Sequence, residues 1–526
     1  MHNLMRSSRD RPRVGGSRRA TLRSPMKDTP SMTSIAEALG VASNHHQAGN
    51  LAEAERIYRH ILTLEPRHAE AHKNLGIALC EQGKLAEAIA SYRLALALKP
   101  DYAEAHNNLG IALWNQGKLT EAIACYCQAL DLKPNLVEAH HNLGNALYEQ
   151  LLLEEAAACY RQALALTPDD PMAHNNLGNV LFDQGKVTEA IACFRQALAL
   201  KPDDVHAHAG LGLALLRAGD LSRGFTEYEW RWKVKQFEQQ CAGLILPQPF
   251  WDGSELNGGT ILLYAEQGFG TTIQFIRYAP LVARRGGRVI VACQPELIRL
   301  LSSVAGTAQV VSEREPLPDF DLHAPLLSLP RIIGTTLETI PSQCPYLSPP
   351  ESSSVKVEAT PDVKLKVGIV WAGLPIHRND RNRSCPLSYF LELAELPGVA
   401  VYSLQKQPRA AGLGEVTPGM AVNNLSDQIG DWADTAAAIC QLDLVLTVDT
   451  GVAHLAGALG RPVWVLLPHV GVDWRWMDGR EDSPWYPSMK LFRQKAPGDW
   501  PSVFARVSAE LQTLLGSYSK IKNSPF

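Results

Sequence analysis

Proline and glycine recur through the first two-fifths of the chain with one fixed spacing. Proline stands at positions 66, 100, 134, 168 and 202, and glycine stands at positions 76, 110, 144, 178 and 212. Both series advance by 34 residues, which is the period of a helix–turn–helix unit stacked into a solenoid. Two residue types do not stay in phase over five copies by chance. The spacing therefore predicts an α-helical array in which each unit packs against its neighbours.

Each unit carries the residues that a pair of packed helices needs. In the copy at 67–100, Gly76 allows the second helix to approach the first closely. Gly83 then turns the chain, and Pro100 ends the unit. The buried faces of the two helices are formed by Leu75, Leu79, Ala88, Tyr92 and Ala95. This pattern resembles the tetratricopeptide repeat.

The resemblance divides the array into about six units. Its members are a degenerate unit at 34–66, full copies at 67–100, 101–134, 135–168 and 169–202, and a divergent last unit at 203–236. One full copy departs from the pattern, because Leu151 stands where the others have the turn glycine. Such arrays present an extended concave surface, so we expect residues 34–236 to bind a protein or peptide.

An asparagine precedes the Leu-Gly pair on the first helix of every full copy. The column consists of Asn74, Asn108, Asn142 and Asn176. First helices line the concave surface of such arrays, and an amide both donates and accepts hydrogen bonds, which suits an extended peptide backbone. Two alternatives are that these amides tolerate a solvated inner face, or that they bond within the array. The column resembles the asparagine ladder of the eukaryotic O-linked N-acetylglucosamine transferases, in the repeat region alone.

Charge is distributed unevenly along the chain. The formal net charge is −4, yet residues 1–30 carry eight Lys or Arg against two Asp, an excess of +6 that leaves −10 for the remainder. An acidic folded part argues against nucleic acid as its main ligand. We expect residues 1–33 to be a disordered basic tail. The alternatives are a true start at Met26 or Met32 and an organellar transit peptide.

Cysteine usage and hydropathy indicate a cytoplasmic protein. The ten cysteines are scattered without metal-type pairs, and several occupy small apolar positions of the repeats, as expected for reduced thiols. No apolar run approaches the roughly 20 residues that span a bilayer, and the first 30 residues lack the apolar core of a secretory signal. We therefore predict neither a transmembrane segment nor secretion.

After the repeats the sequence pattern changes. Predicted apolar strands now alternate with glycine loops and helices. The first series includes 261–270 and 287–293, and the second includes 366–373, 399–406 and 443–469. Such alternation predicts parallel sheets flanked by helices. We expect a Rossmann-like acceptor-side domain at 237–347, a polar linker at 348–362, and a nucleotide-sugar-binding domain with a closing helix at 363–526. Two such domains facing a cleft form the glycosyltransferase-B (GT-B) plan, with ligands at the carboxyl ends of the strands.

The most specific motif runs from Asp449 to Ala456, where a strand gives way to a helix. Thr450 and Gly451 leave backbone N–H groups free at the helix N-terminus, where a diphosphate can bind, and His454 lies one turn further on. The alternative is ordinary helix capping with a buried histidine. The stretch from Asp449 through Pro462 resembles the nucleotide-sugar end of the heptosyltransferase-like family, glycosyltransferase family 9. The resemblance implies that Asp449, Thr450, Gly451 and His454 bind the donor.

Two further segments of the second series follow strands. The loop 377–384 comes directly after a strand ending at Trp371 and Gly373, which we also place at the donor site. Its Arg381 and Arg383 are predicted to neutralise a departing phosphate, although a solvated basic loop is the alternative. The resemblance also places Gln405 and Lys406, after the next strand, beside the nucleotide.

The first series supplies a predicted acceptor loop, formed by Gln267, Gly268, Gly270 and Thr272 together with Glu266 and Thr271. Members of the resembled family that carry these repeats typically have an aspartate after the second glycine, and the family resemblance makes it the base. Here that residue is Thr271, whose hydroxyl is no general base at neutral pH. Either Glu266 or another carboxylate takes the role, or catalysis is weak or absent.

Together these features predict an inverting, metal-independent glycosyltransferase of a type familiar in bacteria. A sugar would pass from a nucleotide-sugar to an acceptor that the array recruits, with a protein, a lipid and a polysaccharide as the alternatives. No metal and no other cofactor is expected. The competing hypothesis is a non-catalytic interaction scaffold with a degenerate transferase half. The aromatic residues at 474–476 and 485–486 could stack on a base or sugar, but we favour packing of the last helix, 501–515.

Overall fold

The fold is described from a computed structural model that covers residues 34–234, 246–376, 379–406 and 422–522. Predictions made for residues 1–33, 235–245, 377–378, 407–421 and 523–526 lie outside this range. The chain divides into two compact units. One holds residues 34–181 and 192–204, and the other holds residues 182–191 and 205–522.

Paired antiparallel helices make up the N-terminal part, as the 34-residue period predicts. The helices are α1 (Ile35–Gln47), α2 (Leu51–Leu64), α3 (Ala69–Glu81), α4 (Leu85–Leu98), α5 (Ala103–Asn115), α6 (Leu119–Leu132), α7 (Val137–Glu149), α8 (Leu153–Leu166), α9 (Pro171–Asp183), α10 (Val187–Leu200), α11 (Val205–Arg217) and α12 (Leu221–Tyr228). A 3₁₀ turn, Glu229–Lys233, follows.

The repeated glycines permit the close helix pairing that the sequence predicts. A Cβ added to Gly76 would lie 2.6 Å from Cε1 of Tyr92, and Gly110 bears the same relation to Tyr126. Both tyrosines are almost fully buried. The ring of the second helix thus occupies the space that any side chain at the glycine position would need.

The turn of the repeat at 135–168 adopts an unusual backbone conformation. Gly49, Gly83 and Gly117 have φ between 76° and 86°, and Leu151, at the equivalent position, has φ of 62°. A β-carbon is disfavoured in this left-handed region. Leu151 therefore keeps the turn at a cost in conformational energy.

Two parallel sheets make up the C-terminal part. The first has strand order β3-β2-β1-β4 and the second has order β10-β9-β8-β5-β6-β7. The strands are β1 (Thr260–Tyr264), β2 (Arg288–Cys293), β3 (Thr307–Ser312), β4 (Leu322–Pro325), β5 (Leu365–Val370), β6 (Val399–Ser403), β7 (Val422–Asn424), β8 (Leu444–Val448), β9 (Val463–Leu467) and β10 (Met489–Arg493). Every pairing within both sheets is parallel.

Short helices connect the strands. They are α13 (Phe269–Phe275), α14 (Ala279–Ala283), α15 (Ile298–Leu301), α16 (Leu329–Ile333), α17 (Asp380–Arg383), α18 (Ser388–Ala394), α19 (Trp432–Cys440), α20 (Gly451–Ala458) and the closing α21 (Trp500–Lys522). The central strands β8 and β9 are buried along their whole length, which explains their uninterrupted apolar sequences. The α/β architecture with parallel sheets is thereby confirmed.

The predicted linker packs against the second sheet's helices. The side chains of Val355 and Val357 are buried, and the amide of Val357 donates to the side chain of Gln441 just beyond α19. The next residue, Glu358, is held by Tyr402 in β6, whose hydroxyl donates to the Glu358 carbonyl. The segment is therefore anchored to the domain that follows it.

The last repeat does not group with the others. Helices α11 and α12 belong to the compact unit that contains both sheets. Phe225 of α12 contacts the rings of Phe275 and Trp474, with centroid distances of 6.3 and 5.6 Å. The array predicted as one block at 34–236 thus contributes its final repeat to the α/β half.

Candidate functional site

The candidate site lies where the two helices that follow β1 and β8 meet. Helix α13 begins just after the glycine loop of the first sheet, and α20 begins just after Thr450 in the second sheet. Both therefore start at the carboxyl ends of parallel strands, where α/β folds bind ligands.

Glycine allows α13 and α20 to approach each other. A Cβ added to Gly270 would lie 2.8 Å from Cδ2 of His454 and 3.5 Å from the Cα of Gly451. A Cβ added to Gly451 would lie 2.7 Å from the ring of Trp432 in α19. The two loops that were predicted separately as acceptor loop and donor motif are therefore neighbours, and Gly270 is in contact with His454.

Thr271 is held by an arginine from a distant loop. Nη2 of Arg475 donates a hydrogen bond to Oγ1 of Thr271 at 3.0 Å, and Nε of the same guanidinium donates to Gln274 at 2.5 Å. Nη1 lies 3.1 Å from both carboxylate oxygens of Asp473. A single buried guanidinium thus joins the threonine at the expected base position to a carboxylate.

Two carboxyl groups share this site and titrate differently. Burial raises the pKa of Asp449 to about 6, nearby Asp473 reinforces the shift, and Arg383 opposes it. For Asp473, burial acts in the same direction but the pairing with Arg475 outweighs it, so its pKa lies below the ordinary value. Adjacent carboxylates whose surroundings separate their pKa values are typical of acid–base sites. The surroundings of the site therefore raise the pKa of Asp449 and lower the pKa of Asp473.

His454 is a neutral, fixed imidazole. Burial and then the charge of Arg475 lower its pKa to about 3. Its Nδ1 lies 3.1 Å from the hydroxyl of Tyr486, and its ring stacks on Trp476 with a centroid distance of 5.1 Å. The residue is buried, so it shapes the contact between α13 and α20 without adding charge to it.

The two predicted arginines of the second domain have different positions. Nη1 of Arg383 donates to the backbone carbonyl of Asp449 at 3.2 Å, and its guanidinium covers Gly373 so closely that a Cβ there would clash with Nη2. Arg381 is exposed, one residue into the same short helix α17. Arg383 therefore belongs to the site, whereas Arg381 lies at the exposed surface.

The other residues predicted for donor binding have structural partners. Gln405 is buried and accepts a hydrogen bond from the amide of Ala372, and Nζ of Lys406 donates to the carbonyls of Ser426 and Ile429. Trp371 is 6 % exposed and packs in the core of the second sheet. These three residues shape the loops around the site, and their contacts give no separate indication of a ligand.

Glu266 does not fit the role of base that was considered for it. Its side chain is fully buried, and its two carboxylate oxygens accept hydrogen bonds from Arg231 at 2.8 and 3.2 Å. The same guanidinium donates to Ser328 at 2.8 Å. A carboxylate with both oxygens engaged and no exposed surface cannot reach an acceptor hydroxyl, so the interpretation of Glu266 as a catalytic base is corrected.

The remaining residues of the acceptor loop fix its shape. Gln267 has φ of 66°, and its side chain donates to the hydroxyl of Tyr228 at 3.0 Å. Thr272 is buried and donates to Gln294 at 3.0 Å. Gly268 precedes the first turn of α13 and is exposed. The loop is therefore built on fixed side chains, and its exposed backbone lies at 267–268.

The asparagine column takes part in hydrogen bonds between repeats. Nδ2 of Asn142 donates to Asn107 at 2.9 Å, and Nδ2 of Asn176 donates to Asn145 at 3.3 Å. Asn108 accepts from Asn107 at 3.4 Å. Among the described residues, Asn74 makes no side-chain hydrogen bond. Bonding within the array, one of the alternatives left open by the sequence, thus applies to most of the column, and peptide binding stays a prediction.

Sequence reasoning missed Asp473 and Arg475 as site residues, because it treated the aromatic residues around them as packing. The aromatic side chains do pack: Trp474, Trp476, Trp485 and Tyr486 are all buried. Arg475, which lies between two of these tryptophans, donates to Thr271 and Gln274 of α13 and pairs with Asp473. An Asp-x-Arg sequence interleaved with buried tryptophans was the available signal.

The described residues contain no cluster of metal-ligand side chains and no helix that could span a membrane. No group of three or more His, Cys, Asp or Glu side chains is arranged there to hold a metal ion. Nor does any helix in the described ranges combine the length and apolar character needed to cross a bilayer.

Comparison with known proteins identifies the repeats. Residues 76–117 and 115–150 match the TPR repeat model, and residues 141–204 and 175–229 match a second tetratricopeptide repeat model. The N-terminal part is therefore a tetratricopeptide array, a type of protein-interaction scaffold, and it is followed by an α/β part with parallel sheets.

Similarity to individual proteins is modest. Protein FlbA of Caulobacter vibrioides is 25% identical over 325 residues, which cover 57% of this chain and 54% of that protein. The chain thus spans about half the length of this curated relative. Among solved structures, pilF of Pseudomonas aeruginosa is similar at 19% identity and a TM-score of 0.34, covering 40% of this chain and 93% of that one. YrrB, described as a TPR protein with an unusual peptide-binding site, is similar at 20% identity and a TM-score of 0.30, covering 34% of this chain and 91% of that one.

Proposed function

We propose that this protein is an inverting glycosyltransferase that takes a sugar from a nucleotide-sugar and delivers it to a protein acceptor recruited by the repeats. The observation that carries the proposal is the meeting of α13 and α20 at the carboxyl ends of two parallel sheets, with Thr271, Arg475, Asp473 and Asp449 around the contact. A site between two Rossmann-like sheets is the arrangement of the GT-B plan.

We assign the donor diphosphate to the carboxyl end of the second sheet. Helix α20 begins at Gly451 with half-buried residues before it, and the helix N-terminus favours an anion. Arg383 lies over Gly373 and against the carbonyl of Asp449, so a guanidinium stands at the same strand end. As the glycosidic phosphate leaves, these groups would stabilise the charge that develops on it.

Proton removal from the acceptor is assigned to Asp449. Thr271 cannot act as base, both carboxylate oxygens of Glu266 are bonded to Arg231, and Arg475 lowers the pKa of Asp473 and so makes it a weaker base. A carboxyl group whose pKa is raised to about 6 is better matched to proton transfer near neutral pH. The acceptor oxygen would attack the anomeric carbon, its proton would pass to Asp449, and the bond to the nucleoside diphosphate would break.

The first experiment is nucleotide binding by the full chain. UDP, GDP and ADP are titrated separately and binding is followed by calorimetry, with D449N and R383Q as variants. We expect one of the three to bind, R383Q to weaken that binding roughly tenfold, and D449N to bind but not to turn over the matching nucleotide-sugar. Absence of binding to all three by the wild-type chain would refute the donor site.

Acceptor transfer needs a separate measurement. Mass spectrometry of cellular proteins co-expressed with the wild-type chain or with D449N would reveal sugar-modified peptides in the first sample alone. Nucleotide binding without any such modification would favour the competing scaffold function, in which the α/β half senses a nucleotide and the repeats hold a partner.

A further inference from the structure

The last repeat differs from the array in what it contacts. The ladder asparagine of the preceding units is replaced by Gly210 at the equivalent position of α11. Residues 205–234 instead share a compact unit with both sheets. We call residues 205–234 the brace. The brace has no asparagine at the ladder position, but it belongs to the same compact unit as the candidate site.

Arg217, at the end of α11, holds the loop that carries Asp473 and Arg475. Its side chain is 2 % exposed, and its Nε and Nη2 both donate to Oδ1 of Asp478, at 3.0 and 2.8 Å. Nη1 donates to the carbonyl of Phe182 at 2.8 Å and lies 3.5 Å from the carbonyl of Val472. The same arginine thus contacts both ends of the segment 472–478.

A second bond fixes the start of this loop from the repeat side. The amide of Gly471 donates to the carbonyl of Asp183 at 3.0 Å, at the end of α9. Within the loop, Met477 has φ of 47°, a left-handed value that a side chain rarely adopts. A loop with a disfavoured backbone conformation persists only when its surroundings hold it, and Arg217 provides such a contact.

The other site loop is held by the end of the brace. Arg231 forms its buried ion pair with Glu266, and the hydroxyl of Tyr228 accepts from the side chain of Gln267. Gln267 has φ of 66°, so this loop also includes a disfavoured conformation. The brace therefore contacts one loop from each sheet. Arg217 bonds to the loop 471–478, and Tyr228 and Arg231 bond to the loop at 266–267.

We propose that residues 205–234 are a positioning element of the candidate site, in which Arg217 sets the loop 471–478 and thereby the orientation of Arg475 toward Thr271. The inference deepens the proposed function and rests on it for its catalytic meaning, but the structural coupling stands on contacts alone. In this arrangement the transferase half is incomplete without the final repeat of the array.

Hydrogen exchange of the full chain tests the coupling without any ligand. In R217Q we expect the amide of Gly471, which bonds to Asp183, and the amides of Arg475, Trp476 and Met477, which bond within the loop, to exchange at least about tenfold faster than in the wild type. Amides of α3 to α8 should exchange as before. The matched control is R223Q, because Arg223 lies in the same repeat, is exposed and pairs with Asp220 alone among the described residues.

A second readout separates positioning from general loss of structure. UDP, GDP or ADP, whichever the wild-type chain binds, is titrated into R217Q and R217K. We expect R217Q to lose affinity by about tenfold and R217K, which keeps the charge but not the planar fork, to fall between R217Q and wild type. R223Q should bind as the wild type does.

The outcomes are distinct for the two proposals. Unchanged exchange of 471–478 in R217Q would overturn the positioning role, whatever nucleotide binding shows. Faster exchange in a chain whose wild type binds none of the three nucleotides would uphold the coupling and refute the proposed donor site. Faster exchange that extends equally through α3 to α8 would mean that R217Q unfolds the chain generally, and this too would overturn the specific role.

Discussion

Arg475 donates a hydrogen bond to the hydroxyl of Thr271 across 3.0 Å, at the position where the sequence predicted a general base. The guanidinium is buried, so the hydroxyl satisfies a charged donor that water cannot reach. The threonine is therefore a structural partner of the arginine.

Replacing Thr271 by valine should destabilise the α/β unit. Valine keeps the shape but leaves Nη2 of Arg475 without its acceptor, and a buried unsatisfied donor costs about 1–3 kcal/mol. The free energy of unfolding is measured by urea denaturation. T271S, which retains the hydroxyl, is the control and should stay within about 0.5 kcal/mol of wild type. Equal midpoints for valine and serine would show that the bond contributes nothing.

Asp449 should make stability depend on pH. Its pKa in the folded chain is raised to about 6 from the ordinary value of 3.8, so the protonated form is favoured by folding and this contribution is lost as pH rises through about 6. D449N removes the penalty and should be more stable than wild type by as much as about 3 kcal/mol above pH 7, from about 1.4 kcal/mol per pKa unit. Below about pH 4 the two chains should be alike.

The measurement for Asp449 is urea denaturation across this pH range. A difference between D449N and wild type that does not grow with pH would contradict the raised pKa. D482N is a control for the general effect of removing one negative charge, because Asp482 is an exposed residue whose pKa is lowered by Arg480.

Gly270 should tolerate no side chain. A methyl group there would lie 2.8 Å from Cδ2 of His454, so G270A must push α13 and α20 apart. We expect a loss of about 1–3 kcal/mol in unfolding free energy and weaker nucleotide binding. G268A is a matched control two residues away, where φ is −92° and no atom lies within 4 Å of the added Cβ. If both alanine variants behave alike, the contact between the helices is not what limits the site.

Leu151 should be improved by glycine. Its φ of 62° matches the turn glycines of the other repeats, and a β-carbon in that region costs about 1–2 kcal/mol, partly offset by the greater entropy of unfolded glycine. L151G should therefore gain about 0.5–1 kcal/mol in thermal or urea denaturation. L151A keeps the β-carbon and should gain nothing; an equal gain from alanine would point to the leucine side chain rather than to the backbone.

Two members of the asparagine column should respond differently to alanine. Asn142 bonds to Asn107, so N142A should cost about 1 kcal/mol of array stability. Asn74 makes no such bond among the described residues, so N74A should leave stability unchanged. If the column binds peptide backbone, both variants should weaken capture of a protein acceptor. A loss confined to N142A would mean that the column serves the array alone.

The helical half of the fold follows from its sequence because the repeats are local. Gly76 and Tyr92 lie in one unit, and their packing recurs every 34 residues, so the period exposes it. The sheets could be predicted equally well, because strands such as β8 and β9 are buried throughout and their sequences are continuous apolar runs. Periodicity and burial are the physical signals that sequence carries most directly.

The residues of the candidate site could be predicted from the sequence only in part. Asp449 and His454 share one short motif at a strand end, so their placement could be predicted. Arg475 and Thr271 are hydrogen-bonded although they are 204 residues apart in the sequence, and no periodic pattern predicts such a pair. Glu266 was misinterpreted for the same reason, because its partner Arg231 lies in the irregular end of the last repeat.

The grouping of residues 205–234 with the sheets bears on how such proteins can be recombined. A chain cut after the last repeat would separate Arg231 from Glu266 and Arg217 from Asp478, leaving charged groups without counterions in an apolar setting. Exchange of arrays between relatives should instead keep residues 182–191 and 205–234 with the sheets, because the carbonyls of Phe182 and Asp183 accept hydrogen bonds from Arg217 and Gly471. Repeats could then be added, removed or swapped to change the captured partner while the remaining fragment keeps its own final helical hairpin.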